Sequence, residues 1–185
     1  MHFPVFLDLR SREVLVVGGG RVAFGKVASL LEAGALVTVV APRIDKSVNG
    51  AELVVREFQP ADLDGKWLVV AAATADVNRA VAAEAGRRRI FVNAVDDAAS
   101  ASAYLGGVVR KGGVTLAVGT DGRAPALSGL LREALAAVLP DDLEQWTRTA
   151  SQARALWRAA RVPMAERRPL LLEALNELYL RRRSA

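Results

Sequence analysis

Through the first half of the chain, short unbroken apolar runs alternate with longer segments whose apolar residues recur at helical spacing. Glu13-Val14-Leu15-Val16-Val17 is such a run, and glycines follow it at once. An apolar run of this length reads as a parallel strand buried on both faces. From Val22 to Ala33 the residues Val22, Val27, Leu30 and Leu31 fall near helical spacing, and Gly34 closes the helix. Val37–Ala41 (stopped by Pro42), Leu53–Val55, Trp67–Ala72 and Ile90–Val92 read as further strands. A helix over Val77–Arg87 separates the last two. Strand and helix in alternation predict βαβ units, hence an α/β protein with a Rossmann-like, doubly wound parallel sheet.

The pattern changes after Asp97. Ala103–Arg110 and Val114–Val118 are β-like runs joined by Lys111-Gly112-Gly113, which predicts an antiparallel hairpin. From Pro125 onward the chain reads as helix. Pro125 suits a first-turn position, Pro140 with Asp141 and Asp142 separates two helices, and Pro163 precedes a last helix over roughly Ala165–Leu180. The expected organisation is a nucleotide-binding domain over 1–112, a dimerisation segment over 113–145 whose hairpin begins near 103, and a small helical domain over 146–185. Neither an internal repeat nor a low-complexity linker interrupts it.

Composition narrows the chemistry. Hydrophobic residues make up 52% and aromatics 5%, which suits an aliphatic α/β core. There is no cysteine, so disulfides, thiolate catalysis and Cys-ligated metals are all excluded. No apolar run reaches the roughly 18 residues of a membrane span. Met1-His2-Phe3-Pro4 does not open a signal peptide, and the cytoplasm is the expected compartment. The net charge of +5 suits a polyanionic partner without choosing one. Arg87-Arg88-Arg89 and Arg181-Arg182-Arg183 each fall at a predicted helix end, where cations complement the helix dipole. No aromatics interleave with them, which argues against nucleic acid. His2 is the only histidine, and it lies at the terminus, so no metal site is expected.

Gly18-Gly19-Gly20-Arg21-Val22-Ala23 sits between the first strand and the first helix and satisfies G-x-G-x-x-A. The first glycine permits a tight turn, the second lets a pyrophosphate approach the backbone, and Ala23 lets helix pack on strand. The helix N-terminus adds N–H groups and positive dipole. The bland alternative is a tight βα turn with no ligand. The acid usually found about twenty residues further on, which binds a ribose hydroxyl, is missing. The second strand ends in Ala41-Pro42-Arg43 instead. Arg43 is either a reader of a 2′-phosphate or an exposed loop residue.

Ligands of open α/β sheets bind beyond the carboxyl ends of the strands, where strand order reverses. Ala73-Thr74 ends the fourth strand and should flank that crevice. Asn93-Ala94-Val95-Asp96-Asp97 ends the fifth. A carboxylate there could act as acid, base or proton acceptor, but aspartate after a strand is also an ordinary turn residue. Thr120, in Gly119-Thr120-Asp121-Gly122, ends the second hairpin strand and is read by itself as turn chemistry. The Tyr-x-x-x-Lys pair of short-chain dehydrogenases is absent, since Val108 follows Tyr104 and Arg183 follows Tyr179 at that spacing. A methyltransferase would want an acid after the second strand.

Taken together, these residues resemble a known family. The series runs from Phe3-Pro4-Val5-Phe6-Leu7-Asp8-Leu9-Arg10 through the glycine turn. It continues with Leu30-Leu31-Glu32-Ala33-Gly34-Ala35 and Val37-Thr38-Val39-Val40-Ala41-Pro42. Ala72-Ala73-Thr74, Val77-Asn78 and Asn93-Ala94-Val95-Asp96 complete it. It is similar to the precorrin-2 dehydrogenase/sirohydrochlorin ferrochelatase family, the N-terminal module of siroheme synthase, from residue 3 to about 140. The resemblance implies NAD-dependent oxidation of precorrin-2 to sirohydrochlorin. It raises ferrochelatase activity, with ferrous iron as substrate, as a second activity. It places Arg21 and Val22 at the cofactor, with Pro42 and Arg43 near its adenosine half, beside Gly18, Gly19 and Gly20 of the motif and Ala73, Thr74 and Asn93 of the strand ends. Asp96 becomes the catalytic carboxylate, Thr120 the hydroxyl near the tetrapyrrole, and the protein a homodimer joined through residues 103–138. Ala103-Tyr104-Leu105-Gly106-Gly107 and Asp121-Gly122-Arg123-Ala124-Pro125 depart from the family pattern on the substrate side. A non-catalytic NAD-sensing module is the alternative reading.

Overall fold

The computed structural model describes residues 2–45 and 49–183, the last five by backbone alone. Val14 to Val17 are buried because their strand lies in the middle of a sheet covered on both faces. That strand is β1 (Glu13–Val17). The others are β2 (Leu36–Ala41), β3 (Ala51–Val55), β4 (Leu68–Ala71) and β5 (Phe91–Ala94). All pair in parallel, in the order β3-β2-β1-β4-β5. Two helices, α1 (Arg21–Glu32) and α2 (Ala75–Arg87), provide the crossovers on either side of β4 and β1.

Side chains alternate across the pleat, so one set of strands builds two cores. Val14, Val16, Val37, Val39 and Val70 meet Ala23, Val27 and Leu30 of α1 on one face. Leu15, Val17, Val40, Val69 and Ala71 meet Val81 and Ala85 of α2 on the other. Helices on both faces make the sheet doubly wound. A short 3₁₀ turn over Pro60–Leu63, not anticipated from the sequence, seals the second face with fully buried Leu63. Asp62 anchors this turn by accepting hydrogen bonds from the Arg56 guanidinium (2.5 and 2.8 Å) and from Gln59 N–H (2.8 Å).

Local contacts adjust several boundaries. Trp67 stays outside β4, half-exposed, with the Arg12 guanidinium 3.7 Å from a ring centroid. Ile90 is held by the helix end, its N–H bonding Ala85 O at 2.9 Å, so β5 begins at Phe91 and continues to Ala94. Ser102 and Ala103 do not join the hairpin. Their N–H groups both bond Val92 O at 2.9 Å, and Ser102 Oγ accepts Val92 N–H. The segment thus covers the free edge of β5.

The chain divides into two compact units between Leu105 and Gly106. The second holds the antiparallel pair β6 (Gly107–Lys111) and β7 (Val114–Val118), then α3 (Pro125–Val138), α4 (Leu143–Ala159) and α5 (Met164–Arg183). The sequence reading drew its boundary at 112, yet β6 pairs with β7 residue for residue and goes with it. Ser128 Oγ of α3 donates to Val118 O at 3.0 Å, and Thr147 Oγ1 of α4 to Gly112 O at 2.8 Å. The only buried apolar residues described in this unit are Val109 and Leu143, while Leu127, Leu130, Leu131 and Val138 are exposed. The Arg181–Arg183 run closes α5, and its side chains lie outside the described residues.

Candidate functional site

Strand order reverses between β1 and β4, and the glycine turn stands at their carboxyl ends. Gly18 has φ +131, and a Cβ there would lie 2.2 Å from Ala72 O at the end of β4. A Cβ on Gly19 would lie 2.0 Å from Arg43 O, in the loop after β2. These two glycines are therefore demanded by the fold itself. Gly20 differs: it is the N-cap of α1, and a Cβ there would meet no heavy atom within 4 Å.

The space beside Gly20 is open, and the helix end facing it is unfilled. The first helical bond runs from Phe24 N–H to Gly20 O, so the amides before it lack helical acceptors. No side chain caps this end, and its first turn carries no acid. Free amides, the positive helix end and open space fit a pyrophosphate group. Ala23, fully buried, lets α1 pack closely on the sheet.

A cleft of about 220 Å³ adjoins this turn, lined among others by Val22, Ala73, Asn78, Val95, Asp96 and Asp97. Val22 presents a half-exposed face. Thr74 is the N-cap of α2, and its hydroxyl makes no capping bond. Asp96 and Asp97 have separate situations. Asp97 accepts Ser100 N–H at 3.2 Å, and hydrogen bonds from Ser100, then the Ala99 backbone and the charge of Arg79, hold its carboxyl below the usual range. It is the turn-capping residue. Asp96 has φ +58, is exposed, and its carboxylate has no hydrogen bond or ion pair among the described residues. Left-handed backbone is tolerated by aspartate better than by most residues but still costs on the order of 1 kcal/mol.

The other candidates are spread around this centre. Arg21, Pro42 and Arg43 are exposed beside the glycine turn and after β2. Asn93 is buried, and its Nδ2 donates to Ala103 O at 2.9 Å, so it supports the segment behind the cleft and does not line it. Thr120 belongs to the second unit. There its Oγ1 accepts Ala124 N–H at 3.3 Å, on an open cavity of about 450 Å³ shared with Asp121, Arg123 and Leu127. Among the described residues, no three carboxylate or histidine groups gather closely enough to hold a metal. None of the described helices is long and apolar enough to cross a membrane.

One residue escaped the sequence reading as a site residue. Asn78 is buried, and it joins the ends of β4 and β5 through both atoms of its carboxamide. The signal was present: an amide shares the helical face of Val81 and Ala85, where an apolar residue belongs.

Comparison with known proteins places the chain in a family. Residues 5–107 match the family described as putative NAD(P)-binding. The chain is 41% identical over 174 residues to siroheme synthase 3 of Aeromonas hydrophila, covering 90% of this chain and 37% of that protein. It is 41% identical over 174 residues to siroheme synthase of Salmonella typhi, covering 90% of this chain and 38% of that one. The chain thus spans less than two fifths of the length of these curated relatives. Among solved structures, SirC, a precorrin-2 dehydrogenase, superposes with a TM-score of 0.71 at 26% identity, over 93% of this chain and 88% of that one.

Proposed function

The chain belongs to the putative NAD(P)-binding family, and on that premise we propose that it catalyses NAD-dependent oxidation of precorrin-2 to sirohydrochlorin. NAD, when bound, supplies the acceptor for the hydride. The amides of Gly20 to Val22 would hold its pyrophosphate, with Pro42 and Arg43 beside the adenosine half and Ala73 and Thr74 beneath the other end. The substrate loses a proton with the hydride, and Asp96 would accept it. The observation that carries this reading is the free Asp96 carboxylate in the cleft that adjoins the glycine turn. A capped or ion-paired carboxylate would be a poorer base, and Asp97 already provides the cap.

The named activity of the structural relative and the siroheme synthases supports the choice of substrate. The precorrin-2 macrocycle carries several carboxylates, which suits a chain of net charge +5. Thr120 would contact this macrocycle. Insertion of ferrous iron into the product, a second step, would use Asp96 to take up pyrrole protons. The second unit's exposed leucines support a homodimer through the hairpin and α3, because its described residues bury few apolar side chains of their own. The cytoplasm is the compartment this chemistry suits.

Asp96→Asn tests the assignment. It keeps size and hydrogen-bonding capacity and removes basicity. Turnover should fall by roughly 10²-fold or more, with NAD affinity unchanged. Full turnover in this variant would remove Asp96 from the mechanism.

A further inference from the structure

Asn78 sits where α2 packs on the sheet, on the face that also buries Val81 and Ala85. A carboxamide in such a place must find partners, because an unpaired buried amide is costly. Its partners are two main-chain groups from different loops. Oδ1 accepts Ala73 N–H at 2.9 Å, and Nδ2 donates to Val95 O at 3.4 Å. Its own N–H makes the first bond of α2, to Thr74 O at 2.8 Å. One side chain therefore ties the turn after β4 to the turn after β5.

The bond to Val95 O bears directly on Asp96. The carbonyl of Val95 and the N–H of Asp96 belong to one rigid peptide plane. Val95 N–H is already fixed by Ala71 O at 2.9 Å. With the carbonyl fixed as well, the plane on the N-terminal side of Asp96 is set. The plane that follows Asp96 is held by Asp97 N–H, which bonds Ala94 O at 3.4 Å, so the φ of +58 lies between two restrained planes; an L residue released from either restraint moves to negative φ. We infer that Asn78 is a positioning residue, whose carboxamide holds the Asp96 turn in its left-handed conformation and aims the carboxylate into the cleft. This rests on the dehydrogenase reading above.

Three variants test it. Asn78→Leu keeps the branched shape and removes both bonds, Asn78→Ala guards against misfitting of the bulkier leucine, and Asn78→Leu/Asp96→Asn reports coupling. Turnover, NAD affinity and amide hydrogen exchange over residues 94–97 are measured on each. Asn78→Leu should lower turnover about tenfold and add less than about twofold when Asp96 is already Asn, as for residues acting through one another. NAD affinity should hold, and exchange should rise at 95–97 but not along β1. Independent, multiplying losses would overturn the inference, as would NAD affinity falling in step with turnover, or failure of both single variants to fold. If the wild-type protein does not turn over precorrin-2, the dehydrogenase reading fails on its own. Exchange at 95–97 then still decides Asn78: a rise supports its hold on the turn, and no change refutes it.

Discussion

Gly20→Ala separates a glycine required by a ligand from one required by the fold. Gly20 has φ −95 and ψ 179, a conformation alanine adopts freely, and its added methyl would stand in open space. Two small stability terms oppose each other. Alanine is a poorer N-cap than glycine, which costs roughly 0.5–1 kcal/mol. It also restricts the unfolded chain, which returns about 0.4–1 kcal/mol. The net change should be within about 0.5 kcal/mol, or a melting shift of about 2 °C or less for a chain of this size. The same methyl would stand where the pyrophosphate approaches. Losing one hydrogen bond to a charged oxygen costs about 1.5–3 kcal/mol, so the NAD dissociation constant should rise about 10- to 100-fold. Calorimetric titration with NAD and thermal melting on one preparation read both quantities. Gly18→Ala provides the contrast: its methyl would sit 2.2 Å from Ala72 O at φ +131, so stability itself should fall by about 1–3 kcal/mol or more. Unchanged NAD affinity in a stable Gly20→Ala protein would refute the placement of the pyrophosphate.

Three further outcomes are expected. NAD should bind more tightly than NADP, and Arg43→Ala should leave NAD affinity within about twofold, since Arg43 is an exposed loop residue there; tighter binding of NADP would give Arg43 a phosphate-reading role. Light scattering at micromolar concentration should give twice the chain mass, and Leu130→Glu, on the exposed face of α3, should halve it; an active monomer would contradict the dimer. The Arg56 guanidinium, with help from Gln59 N–H, holds Asp62 below the usual carboxylate range against the opposing effect of burial. Because the folded pKa is depressed, this stabilisation is complete above about pH 4 and is lost as pH falls further. Asp62→Asn should cost about 1 kcal/mol at pH 7 after discounting for the exposure of Arg56, and should flatten the acid limb of the melting profile.

The sheet was legible because its signals are local. Apolar runs such as Val14–Val17, and Val37–Ala41 with its single Thr38, can satisfy their apolar side chains only between two helical layers. The glycine turn was legible as a motif, but its three glycines were not distinguishable. Only the path of the chain shows that Gly19 answers to Arg43 O and Gly20 to open space. The contrast between Asp96 and Asp97 was also hidden, since it depends on which carboxylate reaches Ser100 N–H. Ala103 read as strand because its neighbours are β-formers, whereas Val92 at the sheet edge draws Ser102 and Ala103 away from the hairpin. Asn78 was visible as a polar residue on an apolar helix face, but its partners are main-chain groups, which no side-chain pattern reports.

The visible spectrum of precorrin-2 follows the proposed oxidation directly. With NAD and catalytic amounts of this protein, the precorrin-2 spectrum should give way to that of sirohydrochlorin, with one NADH formed per macrocycle. NAD binding with no change in the tetrapyrrole spectrum would contradict the dehydrogenase reading and leave a nucleotide-sensing module in its place.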